Sequence, residues 1–190
     1  LKLYGMVGLP IEEEADVEAT ADLLMRIKKK AAGLHLTFGV STFVPKAHTP
    51  FQWYGIRPES AKRLKLLAKR LKPNGINLRP ESYKWSVIQA LISRSDRRLA
   101  PVIVAMRGTH QNFGSWKKTY QTIREEHISH KTNNLLPLPQ LPTWEHVIHN
   151  NWDTSKVLPW SHIQGPLNPE LLLEHQQQSL NQSFALNQEK

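Results

Sequence analysis

The hydrophobic and polar positions of the first fifty residues alternate between two rhythms. Leu1–Val7 is a short apolar run, broken by Gly8-Leu9-Pro10, and Glu12-Glu13-Glu14 then opens a long helical pattern. Ile11, Ala15, Leu23, Leu24, Ile27 and Ala31 recur at helical spacing, with Val17 and Ala21 at the edges of the stripe. Acids crowd the first turn and Lys28-Lys29-Lys30 the last, as the helix dipole favours, and Gly33 stands where a left-handed cap is expected. From Leu34 the rhythm changes to a period of two: Leu34, Leu36, Phe38 and Val40 face one way, His35, Thr37, Gly39 and Ser41 the other. Pro45–Phe51 closes that run. Strand, helix and strand in this order predict a right-handed crossover unit of a parallel sheet. Such a sheet needs neighbouring strands and helical cover. No comparable unit is legible further on, and Leu1 falls inside an apolar strand. The expectation is the back part of something larger.

Beyond Trp53 the pattern is helical. Pro58–Leu71 predicts a helix with Leu64, Leu67, Ala68 and Leu71 inward, ended by Pro73-Asn74-Gly75. Ile76–Leu78 reads as a short strand halted by Pro80. Ser82–Ile92 predicts a helix presenting Trp85, Ile88 and Leu91. Leu99–Met106 predicts another, with Pro101 in its first turn. A helix capped by Ser115 and running to about His127 buries Trp116, Tyr120 and Ile123. Leu135–Pro142 is a proline-rich connector, Thr143 starts a short helix with Trp144 and Val147, and Trp152, Val157, Leu158 and Trp160 pin the tail to the body. Pro169 opens a last helix with Leu171, Leu172 and Leu173, and the Gln-, Ser- and Asn-rich end predicts disorder.

Composition adds three constraints. The 190 residues hold no Cys, which excludes disulfides and thiolate metal sites within this chain. No apolar run approaches the length of a membrane span and no targeting signal is visible, so the expectation is a cytoplasmic protein without membrane partners. A net charge of +9 raises the question of nucleic acid. The densest patch is Arg57, Lys62, Arg63, Lys65, Lys69, Arg70 and Lys72 around Glu59. Without an aromatic stacking platform, it is read as the solvated face of a helix rather than as an RNA contact. His127 with His130, and His146 with His149, share helical spacing. With no third ligand in pattern, no metal is assigned.

Two motifs carry a family resemblance. Tyr4-Gly5-Met6-Val7-Gly8-Leu9-Pro10-Ile11-Glu12-Glu13 resembles the fifth strand and following turn of radical S-adenosylmethionine (radical SAM) enzymes. Ser41-Thr42-Phe43-Val44-Pro45-Lys46-Ala47-His48-Thr49-Pro50-Phe51 resembles their sixth strand. Phe51-Gln52-Trp53, the segment Trp85 to Arg98, Trp152 and Leu158–Ile163 extend the likeness to about Gln178. Together they resemble one radical SAM family that often carries a cobalamin-binding-like domain in front. Ser95 departs from the Gly expected in its Arg-Gly-Asp-Arg-Arg segment, which predicts a strained turn if the backbone there needs a positive φ.

The resemblance implies the C-terminal fragment of a partial TIM-like barrel, two parallel strands with a crossover helix, followed by a mainly helical extension. The expected divisions are 1–55 for the last barrel strands, 56–134 for the helical extension, 135–142 for the connector, 143–178 for a short helical segment and 179–190 for a disordered tail. It implies S-adenosylmethionine and a 4Fe-4S cluster in the complete parent, with the missing N-terminal half of the barrel as partner. The cluster thiolates would lie elsewhere, since this chain has none, and the chain alone would be inactive. By position, Gly8 would allow close approach of the cofactor, and Phe43 with Val44 would flank its adenine. A tight strand-to-helix turn would also require Gly8. Read from their chemistry alone, Arg94, Arg97 and Arg98 are an anion-site candidate; the competing reading is a turn in which Asp96 forms a salt bridge or caps the next helix. The rival to the enzyme reading is a basic helical module that binds RNA or protein, and a third reading is a broken reading frame without function.

Overall fold

A computed structural model describes residues 1–31, 33–129 and 140–188. These residues form a mixed α/β structure with three parallel strands and seven α-helices. The sheet is open rather than closed into a barrel. Two compact units result: Leu1–Val44 and Ile56–Ser86 with the chain from Glu174, and Pro45–Gly55 with Val87–Leu173.

In the first unit β1 (Lys2–Val7), α1 (Glu14–Lys30) and β2 (Thr37–Thr42) make the expected parallel crossover. The register runs from Lys2 opposite Thr37 to Val7 opposite Thr42. The short strand expected at Ile76–Leu78 then joins the same sheet, which the two-strand expectation did not include. After α2 (Ser60–Leu71), β3 (Asn77–Pro80) adds a third parallel strand beside β2, so strand–helix–strand occurs twice. The sequence signal is weak because β3 has four residues and only Leu78 is buried among them. Pro80 is tolerated because β3 lies at the sheet edge.

Local chemistry sets the helix starts and faces. Glu13 precedes α1, and its N–H donates to Asp16 Oδ2 at 2.9 Å. Val17, Ala21 and Leu24 are the buried positions of α1, whereas Leu23 is 49% exposed. Val17 and Ala21, placed at the edge of the stripe by sequence, are therefore at its centre with Leu24, the three following i, i+4, i+7 spacing. They meet Val7, Leu36, Phe38, Val40 and Leu78 from the sheet and Leu64, Leu67 and Leu71 from α2. Each fully buried aliphatic side chain contributes roughly 1.5–3 kcal/mol to this core.

The other sheet face presents Lys2, Tyr4 and Met6 of β1, Thr37, Gly39 and Ser41 of β2, and Asn77 and Arg79 of β3, in matching registers. Tyr4 is 73% exposed, and its ring lies over Gly39, where an added Cβ would come within 3.0 Å. The polar-and-small side of β2 read from the sequence is thus the side that α1 and α2 leave open.

The second unit is helical. It takes most of α3 (Tyr83–Arg94), a 3₁₀ turn at Arg97–Leu99, α4 (Ala100–Met106), α5 (Phe113–Ser129), α6 (Trp144–Ile148) and the start of α7 (Pro169–Gln188). Trp116, Tyr120 and Ile123 are buried as their spacing predicts. Tyr120 packs edge-to-face on Trp144 at 5.5 Å and donates its hydroxyl to Pro142 O at 2.9 Å. Asn112, not Ser115, caps α5: its Oδ1 accepts from the Ser115 N–H. Thr143 caps α6 through the His146 N–H, as expected. Val157 and Trp85, expected inside, are 84% and 51% exposed. α7 continues to Gln188, through the stretch expected to be disordered. Gln, Leu and Ala are good helix formers even where no apolar period persists. His130, residues 131–134 and positions 135–139 of the connector lie outside the described residues.

Candidate functional site

The three cofactor residues implied by the resemblance sit together at the carboxyl ends of β1 and β2. Phe43 N–H donates to Val7 O at 2.8 Å, placing it beside Gly8. Phe43 is buried and Val44 half-buried. The carboxyl ends of parallel strands are where α/β proteins build ligand sites, because the loops and helix starts converge there.

Gly8 has φ +86°, a conformation that only glycine adopts without strain. A Cβ at this position would overlap Ser60 Oγ at the start of α2. Its N–H donates to Glu12 Oε2 at 2.6 Å, and the same oxygen pairs with Arg63 Nη1 at 2.6 Å. Arg63 also binds Glu12 O, while Arg57 binds the carbonyls of Leu9, Pro10 and Glu12. Burial pushes the Glu12 carboxyl above its ordinary range, and the Gly8 N–H and Arg63 partly offset this. The Gly-Leu-Pro turn is therefore a clamped structural corner. Its glycine requirement is met from inside the protein by the approach of Ser60. Buried within it, Ser60 Oγ and Thr42 Oγ1 have no hydrogen-bond partner.

This clamp also revises the basic patch. Arg57 and Arg63 are turned into the corner, and Arg70 pairs with Asp22 at 2.6 Å. Arg63, placed on the solvated face by sequence, lies one turn before Leu67 and is buried with it. The cations that α2 leaves to solvent are lysines.

The Arg94–Arg98 segment separates into different tasks. Arg94 is 1% exposed and donates Nη1 to the carbonyls of Val147 (2.7 Å) and Ile148 (3.1 Å), and Nη2 to Asn150 O (2.9 Å). Its guanidinium lies 4.0 Å from the Trp152 ring. Burial lowers its pKa to about 10, so it remains charged at neutral pH. Arg94 thus holds the carboxyl end of α6, where carbonyls lack partners and a cation is favoured. Asp96 accepts from the Arg98 N–H at 2.9 Å and pairs with its guanidinium at 2.7 Å. This is the cap and salt-bridge turn that the sequence offered as a competing reading. Arg98 also donates to Gln140 O. Arg97 is exposed. Ser95 is not among the residues at positive φ, so serine fits the turn without the predicted strain.

The dispersed tryptophan motifs converge. Trp53, Leu158, Trp160 and Leu172 form one buried cluster, with Ala47 and Trp152 against it. Gln52 Oε1 accepts from His48 N–H at 3.0 Å and from the Trp160 indole at 2.7 Å. Trp152 N–H donates to Trp53 O, and Asn151 Oδ1 receives the Gly55 N–H. These residues brace the second unit. Among the described residues, no group of three or more His, Cys, Asp or Glu side chains is placed to hold a metal, and no helix is long and apolar enough to cross a membrane.

Sequence comparison finds an uncharacterized protein of Methanocaldococcus jannaschii that is 32% identical over 100 residues, covering 53% of this chain. The matched stretch makes up 22% of that protein, so the chain corresponds to a small part of a longer relative. No protein-family model matches the sequence. No solved structure matches the chain.

Proposed function

We propose that this chain is the carboxyl-terminal portion of a radical SAM iron–sulfur protein. In this reading β1 and β2 are the fifth and sixth strands of a partial TIM-like barrel, and a mainly helical extension follows. The observation that carries it is the meeting of the two resembling motifs, Gly8-Leu9-Pro10 and Phe43-Val44-Pro45, at the carboxyl ends of adjacent parallel strands. Support also comes from the open sheet face: α1 and α2 cover one side, leaving the small and polar Thr37, Gly39 and Ser41 of β2 on the side that would face a barrel interior.

The residues of this chain do not fit the cluster itself, for they include no thiolate. They fit one wall of the S-adenosylmethionine pocket. There Phe43 and Val44 would flank the adenine, while Glu12, Arg57 and Arg63 hold the Gly8 turn in place. When bound, the cluster and S-adenosylmethionine would supply radical generation; the chain's own part is to shape and orient. Loss of three α2-region arginines to internal pairs weakens the RNA-binding alternative.

The test is to express this chain joined to the coding region that precedes it and reconstitute it anaerobically. The expected result is a 4Fe-4S spectrum and release of 5′-deoxyadenosine from S-adenosylmethionine. Phe43→Ala should weaken S-adenosylmethionine binding while leaving the cluster spectrum intact. A preceding region without a Cys-x-x-x-Cys-x-x-Cys loop would overturn the proposal.

A further inference from the structure

The second unit contains a cleft of about 830 Å³, which borders the Arg94–Leu99 segment on one side and His146, Trp152 and Lys156 on the other. This volume lies within the range of small-molecule sites. Its apolar walls come from Leu141, Pro142, Val147 and Leu158. Its charges are unequal. Asp96 is the one carboxylate among the lining residues, and Arg98 already holds it. Arg94 is committed to backbone carbonyls. Arg97 and Lys156, both exposed, add two more cations, so that among the described lining residues Arg94, Arg97, Arg98 and Lys156 stand against Asp96, which feels Arg97 as well as Arg98.

His146 reports the same imbalance. Its Nε2 lies 3.4 Å from Lys156 Nζ, and an ammonium can only donate, so the imidazole accepts there and is neutral. Its pKa is lowered first by burial, then by Lys156, Arg94 and Arg98. The Trp152 ring has two close neighbours, Arg94 at 4.0 Å and His146 stacked at 5.9 Å. Trp152 therefore forms a fixed wall rather than a stacking platform, and its indole N–H is already given to His146 O.

We propose that this cleft binds a small organic dianion, a phosphate monoester with an apolar body, its head placed between Arg97 and Lys156 and its body against the Leu141, Val147 and Leu158 wall. The excess of positive charge matches a doubly charged head, and the apolar walls behind it match a body that inorganic phosphate lacks. The site uses no residue of the Gly8–Phe43 corner, so it stands or falls independently of the cofactor reading.

Phenyl phosphate is the probe, titrated calorimetrically into the full chain at low salt. It should bind saturably and at least tenfold more tightly than inorganic phosphate. Arg97→Ala and Lys156→Ala, both at exposed positions, should each weaken it about fivefold to tenfold while leaving the unfolding transition unchanged. Lys156→Arg should recover most of the loss. Absence of saturable binding at millimolar probe, or binding indifferent to both alanine variants, overturns the proposal. So does displacement of the probe by single-stranded RNA at lower phosphate concentration than by inorganic phosphate, since the cleft would then be part of a nucleic-acid track.

Discussion

Replacing Arg94 by methionine isolates the main polar fastening of the second unit. Methionine keeps the apolar stem of the side chain but removes the guanidinium and with it every donor. The carbonyls of Val147 and Ile148 would be left unpaired in a buried setting, each costing about 1–3 kcal/mol. The Asn150 carbonyl is partly solvated and regains water, so it adds little. Loss of the guanidinium over Trp152 adds about 0.5–2 kcal/mol. Relief of the desolvation borne by a buried cation acts in the other direction, consistent with the lowered pKa of Arg94. The balance is a destabilisation of about 3–5 kcal/mol. Urea unfolding followed by tryptophan fluorescence measures it directly, because Trp152 and Trp160 are in contact at 6.2 Å. Arg94→Lys should recover less than half of the loss, since one ammonium cannot span carbonyls on three residues in the planar fork geometry. A methionine variant within 0.5 kcal/mol of the parent, or full recovery by lysine, would refute the fork as the source of stability.

Two further predictions probe the corner and the turn. Gly8→Ala forces an L-residue into φ +86° and against Ser60 Oγ, for a cost of about 2–4 kcal/mol in urea melts. Adding Ser60→Ala should return part of it, and an equal cost in both backgrounds would disprove the steric account. Asp96 has its carboxyl held below the ordinary range, chiefly by hydrogen bonds from the Arg98 side chain. A depressed carboxylate contributes stability above its unfolded pKa of about 4 and loses it as pH falls through the folded value. The stability gap between the parent and Asp96→Asn should therefore be present at pH 7 and shrink toward pH 2.5; a gap that does not change with pH would contradict this.

The first fifty residues were legible because two periodicities meet a turn of unambiguous chemistry, and the crossover they predict is present with its register intact. β3 was legible as a short strand at Ile76–Leu78, but its place in the sheet was not, since four residues around a single buried Leu78 carry no period. The candidate cleft was half legible. Arg94, Arg97 and Arg98 stand together in sequence, but His146 and Lys156 come from some fifty residues further on and nothing local marks them. The three arginines also look alike in sequence, whereas burial gives each a separate task. Only contacts at long range distinguish the guanidinium that holds α6 from the one left facing solvent. The tryptophan motifs could be recognised but not interpreted, because their shared purpose is visible only when Gln52, Trp53, Trp152 and Trp160 meet.

That meeting also sets an order of events during synthesis. The bond from the Trp160 indole to Gln52 spans 108 residues, and the cluster around Trp53 is completed by Leu158, Trp160 and Leu172. A ribosome adding about 5–20 residues per second needs roughly 5 to 20 s to travel from Gln52 to Trp160. For that interval the segment Pro45–Gly55 has emerged without the partners that bury it. The first unit has its strands and α2 complete by Pro80 and can settle around them, while Trp53 waits as an exposed aromatic. Nascent chains halted near Asn150 should bind a hydrophobic-surface chaperone through this segment, and chains extended past Leu172 should let it go.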